Sequence, residues 1–454
     1  MRVKSRRRWA GINRDSWRHV RVVLAAGLLV LALTMPSAPR SAAAEAPRDE
    51  SVAGELLVTL APGRSPAWLR GHTIVGMLGV DRLSSRVVRV RVPDGLEAVI
   101  AGRLGMLSGV LAVEPNRRLA YSAVPDDQSY PDQWAHQMTG IERAWNMTSG
   151  SDRVTVAVLD SGIDGRHPEL GNVVDRRDAS TGVIRPGRID NDLCKIGHGT
   201  MVAGITGAAG NNGHGIAGVN WSVSLVDVTL SSPATGCDGP TDAAVIAALD
   251  YVTHHPDRRV DAVNMSFGVP AEHCPLAYQT AFDEARLAGI VLVAASGNEE
   301  ELVAFRGRPQ IPAACDGVIS VGAAGSNGYP ARYSTTNQWV DLIAPGGDRA
   351  DGRDKTTLVL TTFRDSSFRL VEGSSFATPY VTGLAALLRA SKSSLTPDQI
   401  EAVLETTAQD RGPEGRDSAH GWGLVQAGAA MARAASEHLP ALISDPNFPV
   451  GASG

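Results

Sequence analysis

Long hydrophobic runs are scarce in this 454-residue chain. Residues 22–35 form the one apolar run of note, and it is shorter than the ~20 residues that a helix needs to cross a bilayer. Preceded by a stretch crowded with Arg and Lys and followed by Ala42-Ala43-Ala44, it reads as a secretory signal over residues 1–44, with an uncleaved anchor as the alternative. No later stretch is apolar for long enough to span a membrane, so none is expected after signal removal. Cysteine is also sparse. The four, Cys194, Cys237, Cys274 and Cys315, lack the C-x-x-C spacing of a zinc site. An even number in an exported segment predicts two disulfides, with three pairings open. A net excess of basic charge is missing from the main body. Met1 to Tyr121 holds 19 Lys+Arg against 9 Asp+Glu, or +10, and the whole chain is −5, so the remainder carries −5 − 10 = −15. Phosphate binding needs basic surface, which excludes nucleic acid as a partner.

What is present is the composition of a large globular chain, 43% hydrophobic and 20% charged with 48 glycines. Residues 47–121 read as a small α+β unit, with strand-like runs at 55–60, 87–92 and 110–114 and a helical spacing over 96–107. A turn-rich linker and a short helix over 140–147 lead into the main body. There, near-continuous apolar runs at 154–159, 223–228, 262–265, 290–295 and 318–321 predict strands buried on both faces. Helical stretches at 242–254 and 276–287 separate them. The pattern predicts an α/β domain over 122–436, a parallel sheet between two helical layers, with ligands beyond the carboxyl ends of the strands.

The polar motifs fall at those ends. The first strand runs into Asp160-Ser-Gly-Ile-Asp-Gly-Arg-His-Pro-Glu-Leu170. A second motif, Gly197-His198-Gly199-Thr200, opens a helix of small residues. The third is Gly373-Ser-Ser-Phe-Ala-Thr-Pro-Tyr-Val-Thr-Gly383, where Ser375 stands at or near a helix N-terminus and Pro379 is tolerable only in the first turn. A serine before a helix also serves as an N-cap. Together, however, Asp160, His198 and Ser375 supply an orienting carboxylate, a general base and a nucleophile, which a weakly nucleophilic hydroxyl requires.

In this order the three blocks resemble the signature blocks of the subtilisin-like serine peptidases, an Asp…His…Ser order that is subtilisin's own. The resemblance spans about residues 55–430. It implies a three-layer α/β catalytic domain preceded by a ferredoxin-like inhibitory propeptide over 47–121, cut between residues 118 and 128. It implies a secreted, monomeric serine endopeptidase that takes protein or peptide substrates. Asn298, in Ala294-Ala-Ser-Gly-Asn298, is the implied oxyanion donor. Ser266, Phe267 and Gly268 are the implied substrate edge, where main-chain pairing gives broad specificity. Asn211-Asn-Gly-His-Gly-Ile-Ala-Gly218 resembles the family's calcium loop, with Asn212, Glu169 and Gln133 as implied ligands of a structural Ca²⁺. Secreted relatives imply the pairs Cys194–Cys237 and Cys274–Cys315. Ser374, Phe376, Tyr380 and Thr382 replace the family's usual Thr, Met, His and Ala. Phe376 is expected behind the serine near the substrate pocket.

Residues 346–370, with Asp348, Asp351, Asp354 and Asp365, read as a polar surface excursion. Glu299, Glu300 and Glu301 could build an acidic pocket, the mark of a narrow processing peptidase. A catalytically silent peptide binder is the other alternative. Residues 437–454 are expected to form a Pro-, Ser- and Gly-rich tail without a membrane anchor.

Overall fold

The computed structural model describes residues 51–72, 74–117, 123–298, 307–436 and 439. The expected signal, the triplet Glu299, Glu300 and Glu301, and the tail apart from residue 439 lie outside the described residues. The chain divides into two compact units, Met1–Ala120 and Tyr121–Gly454.

In the first unit, strands β1 (Ser51–Leu60), β2 (Gly79–Arg82), β3 (Val87–Arg91) and β4 (Val110–Arg117) make one sheet in the order β2-β3-β1-β4. Its pairings are antiparallel. Helices α1 (Pro66–Arg70) and α2 (Glu97–Gly105) contribute Leu69, Ile100 and Leu104 to its core. Strand alternation explains the burial, since Leu56, Val58 and Leu60 are buried while Leu57 and Thr59 between them are not.

The second unit opens with the short helices α3 (Trp134–Thr139) and α4 (Ile141–Trp145), which precede β5 (Thr155–Asp160), β6 (Val173–Asp178) and β7 (Arg185–Pro186). Helix α5 (His198–Gly207) leads to β8 (Ser224–Thr229), then α6 (Asp242–Thr253), β9 (Ala262–Met265) and the short β10 (Val269–Pro270). Next come α7 (Leu276–Leu287), β11 (Val291–Ala295), β12 (Gln310–Ile311), β13 (Val318–Ala324) and β14 (Leu342–Pro345). Strands β15 (Val359–Phe363) and β16 (Ser367–Val371) and helices α8 (Ser374–Ser391), α9 (Pro397–Thr407) and α10 (Ala427–Ala434) complete the unit.

The main sheet has the order β14-β13-β11-β9-β5-β8-β6-β7 and is parallel except at the β6–β7 edge. Each of its central strands is buried along its whole length. Alternate residues feed two separate cores. Val156 and Val158 pack with Val202, Val381 and Leu384 on one face, while Ala157 and Leu159 pack with Leu249 and Phe282 on the other. This is the expected three-layer α/β architecture. The strand order reverses beside β5, so the ends of β5 and β9 frame the crevice where such sheets bind ligands.

Two local expectations need correction. The stretch 346–370 is not merely a polar excursion, because β15 and β16 form an antiparallel hairpin across it. Arg364, Asp365 and Ser366 make the turn between the paired Phe363 and Ser367, with Asp365 and Ser366 in the left-handed region at φ of 58° and 56°. Thr361 and Thr362 anchor the hairpin by donating to the Met201 and Thr200 carbonyls at 2.6 and 2.7 Å. Pro379, second, lies beyond the first turn of α8, as its sixth residue. It is tolerated because the carbonyl it leaves without a helical donor, that of Ser375, accepts from Ser266 Oγ at 2.7 Å.

Candidate active site

Asp160 ends β5, and its Oδ1 accepts the Ser161 N–H at 2.6 Å, which fixes the carboxylate against the turn that follows. His198 opens α5. The loop before it is held by Asp192, whose two carboxylate oxygens accept the N–H groups of Ile196 and Gly197 at 3.1 and 2.8 Å. Gly199 lets the helix approach the strand end. A Cβ there would stand 2.5 Å from the Gly162 carbonyl oxygen and 3.1 Å from Asp160 Cβ. The Gly199 N–H instead donates to Ser161 Oγ at 3.0 Å.

With helix and strand so joined, His198 Nδ1 lies 2.8 and 3.0 Å from the two Asp160 oxygens. Asp160 is almost wholly buried and His198 one-quarter exposed. Burial pulls the imidazole pKa down. The charge and hydrogen bond of Asp160, with a smaller contribution from Asp192, override it and hold His198 above its ordinary value. With Nδ1 engaged, Nε2 is the nitrogen left for proton transfer.

Ser375 is the second residue of α8, after Ser374 and the N-cap glycine Gly373. Gly373 has φ +146°, which favours glycine, and its N–H donates to the buried Tyr333 hydroxyl at 2.7 Å. No side chain caps this helix, so Ser375 is not an N-cap. Its hydroxyl donates to the Ser266 carbonyl at 3.0 Å rather than to His198. Catalytic hydrogen bonds of substrate-free sites are often unmade until the complex forms. The Phe376 ring is buried and lies 5.4 Å from the His198 ring, which places this departure against the histidine.

Asn298 follows β11. Its Oδ1 accepts both the N–H and the hydroxyl of Ser374, at 3.1 and 3.0 Å, which leaves Nδ2 as the outward donor. Ser374 therefore orients Asn298, a role not assigned to it from sequence. Nothing in the order of two adjacent serines distinguishes a residue that bonds to position 298 from an idle neighbour. Ser266 and Phe267, after β9, line a cleft of about 160 Å³ with Asp160, His198, Leu230 and Pro240. Gly268 lies beside β12, where a Cβ would be 3.1 Å from the Ile311 carbonyl oxygen. Cys194 is bonded to Cys237, which ties the segment before His198 to the cleft wall, and Cys274 is bonded to Cys315.

Of the three residues named for calcium, two are in contact. Asn212 and Glu169 meet, with Asn212 Nδ2 3.1 Å from Glu169 Oε2. Gln133 is a correction, because both ends of its buried amide are committed to the Ala217 backbone, at 2.8 and 2.9 Å. A different carboxylate, Asp127, joins Glu169. Its Oδ2 accepts the Asn211 N–H at 2.6 Å. Asp127 Oδ1 and Glu169 Oε1 are buried without a hydrogen-bond donor. Burial, with the Asp127 charge adding to it, pushes the Glu169 pKa up to about 7. Two under-satisfied carboxylates beside an asparagine fit a hard cation such as Ca²⁺. Among the described residues no group of three or more His, Cys, Asp or Glu side chains is arranged to hold a metal, so any such site draws on amide and backbone oxygens as well.

Comparison with known proteins gives this geometry its context. The subtilase family model matches residues 151–423. The chain belongs to the subtilase family. It is 31% identical over 330 residues to a thermophilic serine proteinase of a Bacillus species, covering 72% of this chain and 74% of that protein. An extracellular protease of Xanthomonas campestris is 30% identical over 394 residues, 79% of this chain and 66% of its own length. A solved protease structure from Pseudoalteromonas arctica superposes with a TM-score of 0.60 at 30% identity, covering 69% of this chain and all of that one. This subtilase is thus a subtilisin-like serine endopeptidase, and its relatives include extracellular proteases. Among the described residues no helix is long and apolar enough to cross a membrane.

Proposed function

We propose that this subtilase is secreted as a proenzyme and cleaves peptide bonds through Asp160, His198 and Ser375. The observation that carries the reading is the 2.8 Å contact of His198 Nδ1 with Asp160, beside a serine at the start of a helix. His198 Nε2 takes the Ser375 proton as Oγ bonds to the scissile carbonyl carbon, and Asp160 stabilises the imidazolium that forms. The oxyanion is held by Asn298 Nδ2 and the Ser375 N–H, which as a second helical residue has no carbonyl one turn back to bond. His198 returns the proton to the departing amine. A water then attacks the acyl-enzyme with His198 again as base, which releases the acid and restores Ser375.

The substrate extends along residues 266–268 and is read mainly through its backbone, which gives broad side-chain tolerance. Asp127, Glu169 and Asn212 would hold a calcium ion that neutralises two facing carboxylates and ties the segment before α3 to the loop after α5. Residues 47–121 act as inhibitor and folding aid, removed by a cut between residues 118 and 128.

The test is a peptide-library digest with the mature protein beside Ser375→Ala. Cleavage at many sites, abolished in the variant, is expected. Equal cleavage by the variant would refute the mechanism, and a strict preference for one residue would refute the broad specificity.

A further inference from the structure

Thr382 is fully buried on α8, seven residues past Ser375 and away from the cleft, and it takes no part in the proton transfers above. It nevertheless connects to the nucleophile. Pro379 has no N–H, so the Ser375 carbonyl lacks the donor that an unbroken helix would supply. Ser266 Oγ donates to that carbonyl at 2.7 Å, and the Ser266 carbonyl in turn accepts the Ser375 hydroxyl at 3.0 Å. Ser266 therefore grips the nucleophile residue at two atoms.

The orientation of Ser266 depends on Asn264, the fully buried third residue of β9, whose Nδ2 donates to Ser266 Oγ at 2.9 Å. A primary amide is symmetric in shape and can present either end. Thr382 decides which, by donating to Asn264 Oδ1 at 3.0 Å. The Thr382 hydroxyl also lies 3.1 Å from the Thr378 carbonyl, the local acceptor open to any helical threonine. The Asn264 bond is the one that leaves the helix.

We propose that Thr382 is a positioning residue for Ser375, acting through Asn264 and Ser266 in a closed circuit from α8 to the end of β9 and back to α8. Without the hydroxyl, Asn264 Oδ1 is a buried acceptor with no donor. It regains one by turning toward Ser266 Oγ, and that draws the Ser266 proton off the Ser375 carbonyl. The nucleophile then loses its fixed attitude at the start of the helix, and small displacements of a reacting atom lower the rate of the chemical step more than they lower binding. An alanine at this position, with no hydroxyl, could not close the circuit. The inference rests on Ser375 being the nucleophile.

The experiment uses the full chain after its own maturation, comparing parent, Thr382→Val, Thr382→Ser and Ser375→Ala. Two quantities are read: kcat and KM per titrated active site on a chromogenic peptide, and the rate constant for inactivation by a fluorophosphonate, which does not depend on the fraction folded. Thr382→Val is expected to lower kcat about tenfold with KM changed less than about twofold. Inactivation should slow in parallel, and Thr382→Ser should restore both. If Thr382→Val yields no folded protein, Thr382→Ala carries the same expectations. The proposal is overturned if the valine variant keeps the parental kcat, if KM alone moves, or if serine falls as far as valine. An active Ser375→Ala would overturn it differently, by removing the nucleophile on which it rests.

Discussion

Replacing Asp160 by asparagine separates the two opposing influences on His198. In the parent protein burial lowers the imidazole pKa, while Asp160, 2.8 and 3.0 Å away, raises it and prevails. An amide of the same shape keeps the burial and removes the charge, so His198 should fall below its ordinary ~6.5. In the proposed role of general base, His198 works only when neutral. The parental kcat/KM should therefore rise with pH through a midpoint above ~6.5, and that of Asp160→Asn through a midpoint below it. The variant should also be slower by about 10⁴, the loss found for the trypsin triad when the orienting carboxylate becomes an amide. Stability gives an independent sign. Because the folded pKa is raised, parental His198 contributes stability that is complete below ~6.5 and is lost as pH rises through the folded value. In the variant the folded pKa is depressed, so His198 instead penalises folding at low pH. The assay is kcat/KM on a peptide ester from about pH 5 to 9, with urea midpoints at both ends of the range. A variant whose limb coincides with the parent's, or lies above it, would refute the balance of burial and charge assigned to this histidine.

Three further outcomes follow from the same structure. Chelator should lower the melting temperature of the mature protein, and saturating Ca²⁺ at 100 times Kd should return about 2.7 kcal/mol, a shift of several degrees. Asp127→Asn should abolish that response and Gln133→Ala should leave it in place, whereas a transition unmoved by chelator removes calcium from the account. A chain beginning at Ala123 should refold poorly unless residues 47–121 are supplied separately, and efficient unaided recovery of activity would count against the folding role. Asn298→Ala should lower kcat by about 10²–10³ with little change in KM, a range already measured in a subtilisin rather than worked from this geometry. A variant within about twofold of the parent would remove Asn298 from the oxyanion site.

Much of this was legible in the sequence because the signals were local. The runs at 154–159 and 262–265 had to be buried strands, and the structure differs from them by at most a residue at β5. Asp160, His198 and Ser375 each sit in a short motif whose glycines and small residues have visible work to do. What failed to show was long-range pairing. The hairpin of β15 and β16 was hidden because its strands mix threonine and arginine with apolar residues, and its anchors are carbonyls on α5. Asp127 lies in a linker 42 residues before Glu169, and nothing in either neighbourhood reports that both leave a buried oxygen without a donor. Gln133 is a ligand only as the family resemblance implies, and its amide equally matches a backbone N–H and C=O, which here it takes. Pro379 was confined to the first turn by a rule that counts only helical donors. The hydroxyl that relaxes the rule comes from Ser266, 109 residues before Ser375.

In the proposed mechanism Ser375 Oγ is the atom that attacks, activated by His198. This is tested most directly by labelling the mature protein with a fluorophosphonate and mapping the adduct by mass spectrometry. A single adduct on Ser375 is expected, formed faster as pH rises through the His198 midpoint and absent from both Ser375→Ala and the unfolded chain. An adduct on Ser374 or elsewhere, or labelling that survives Ser375→Ala at the parental rate, would contradict it.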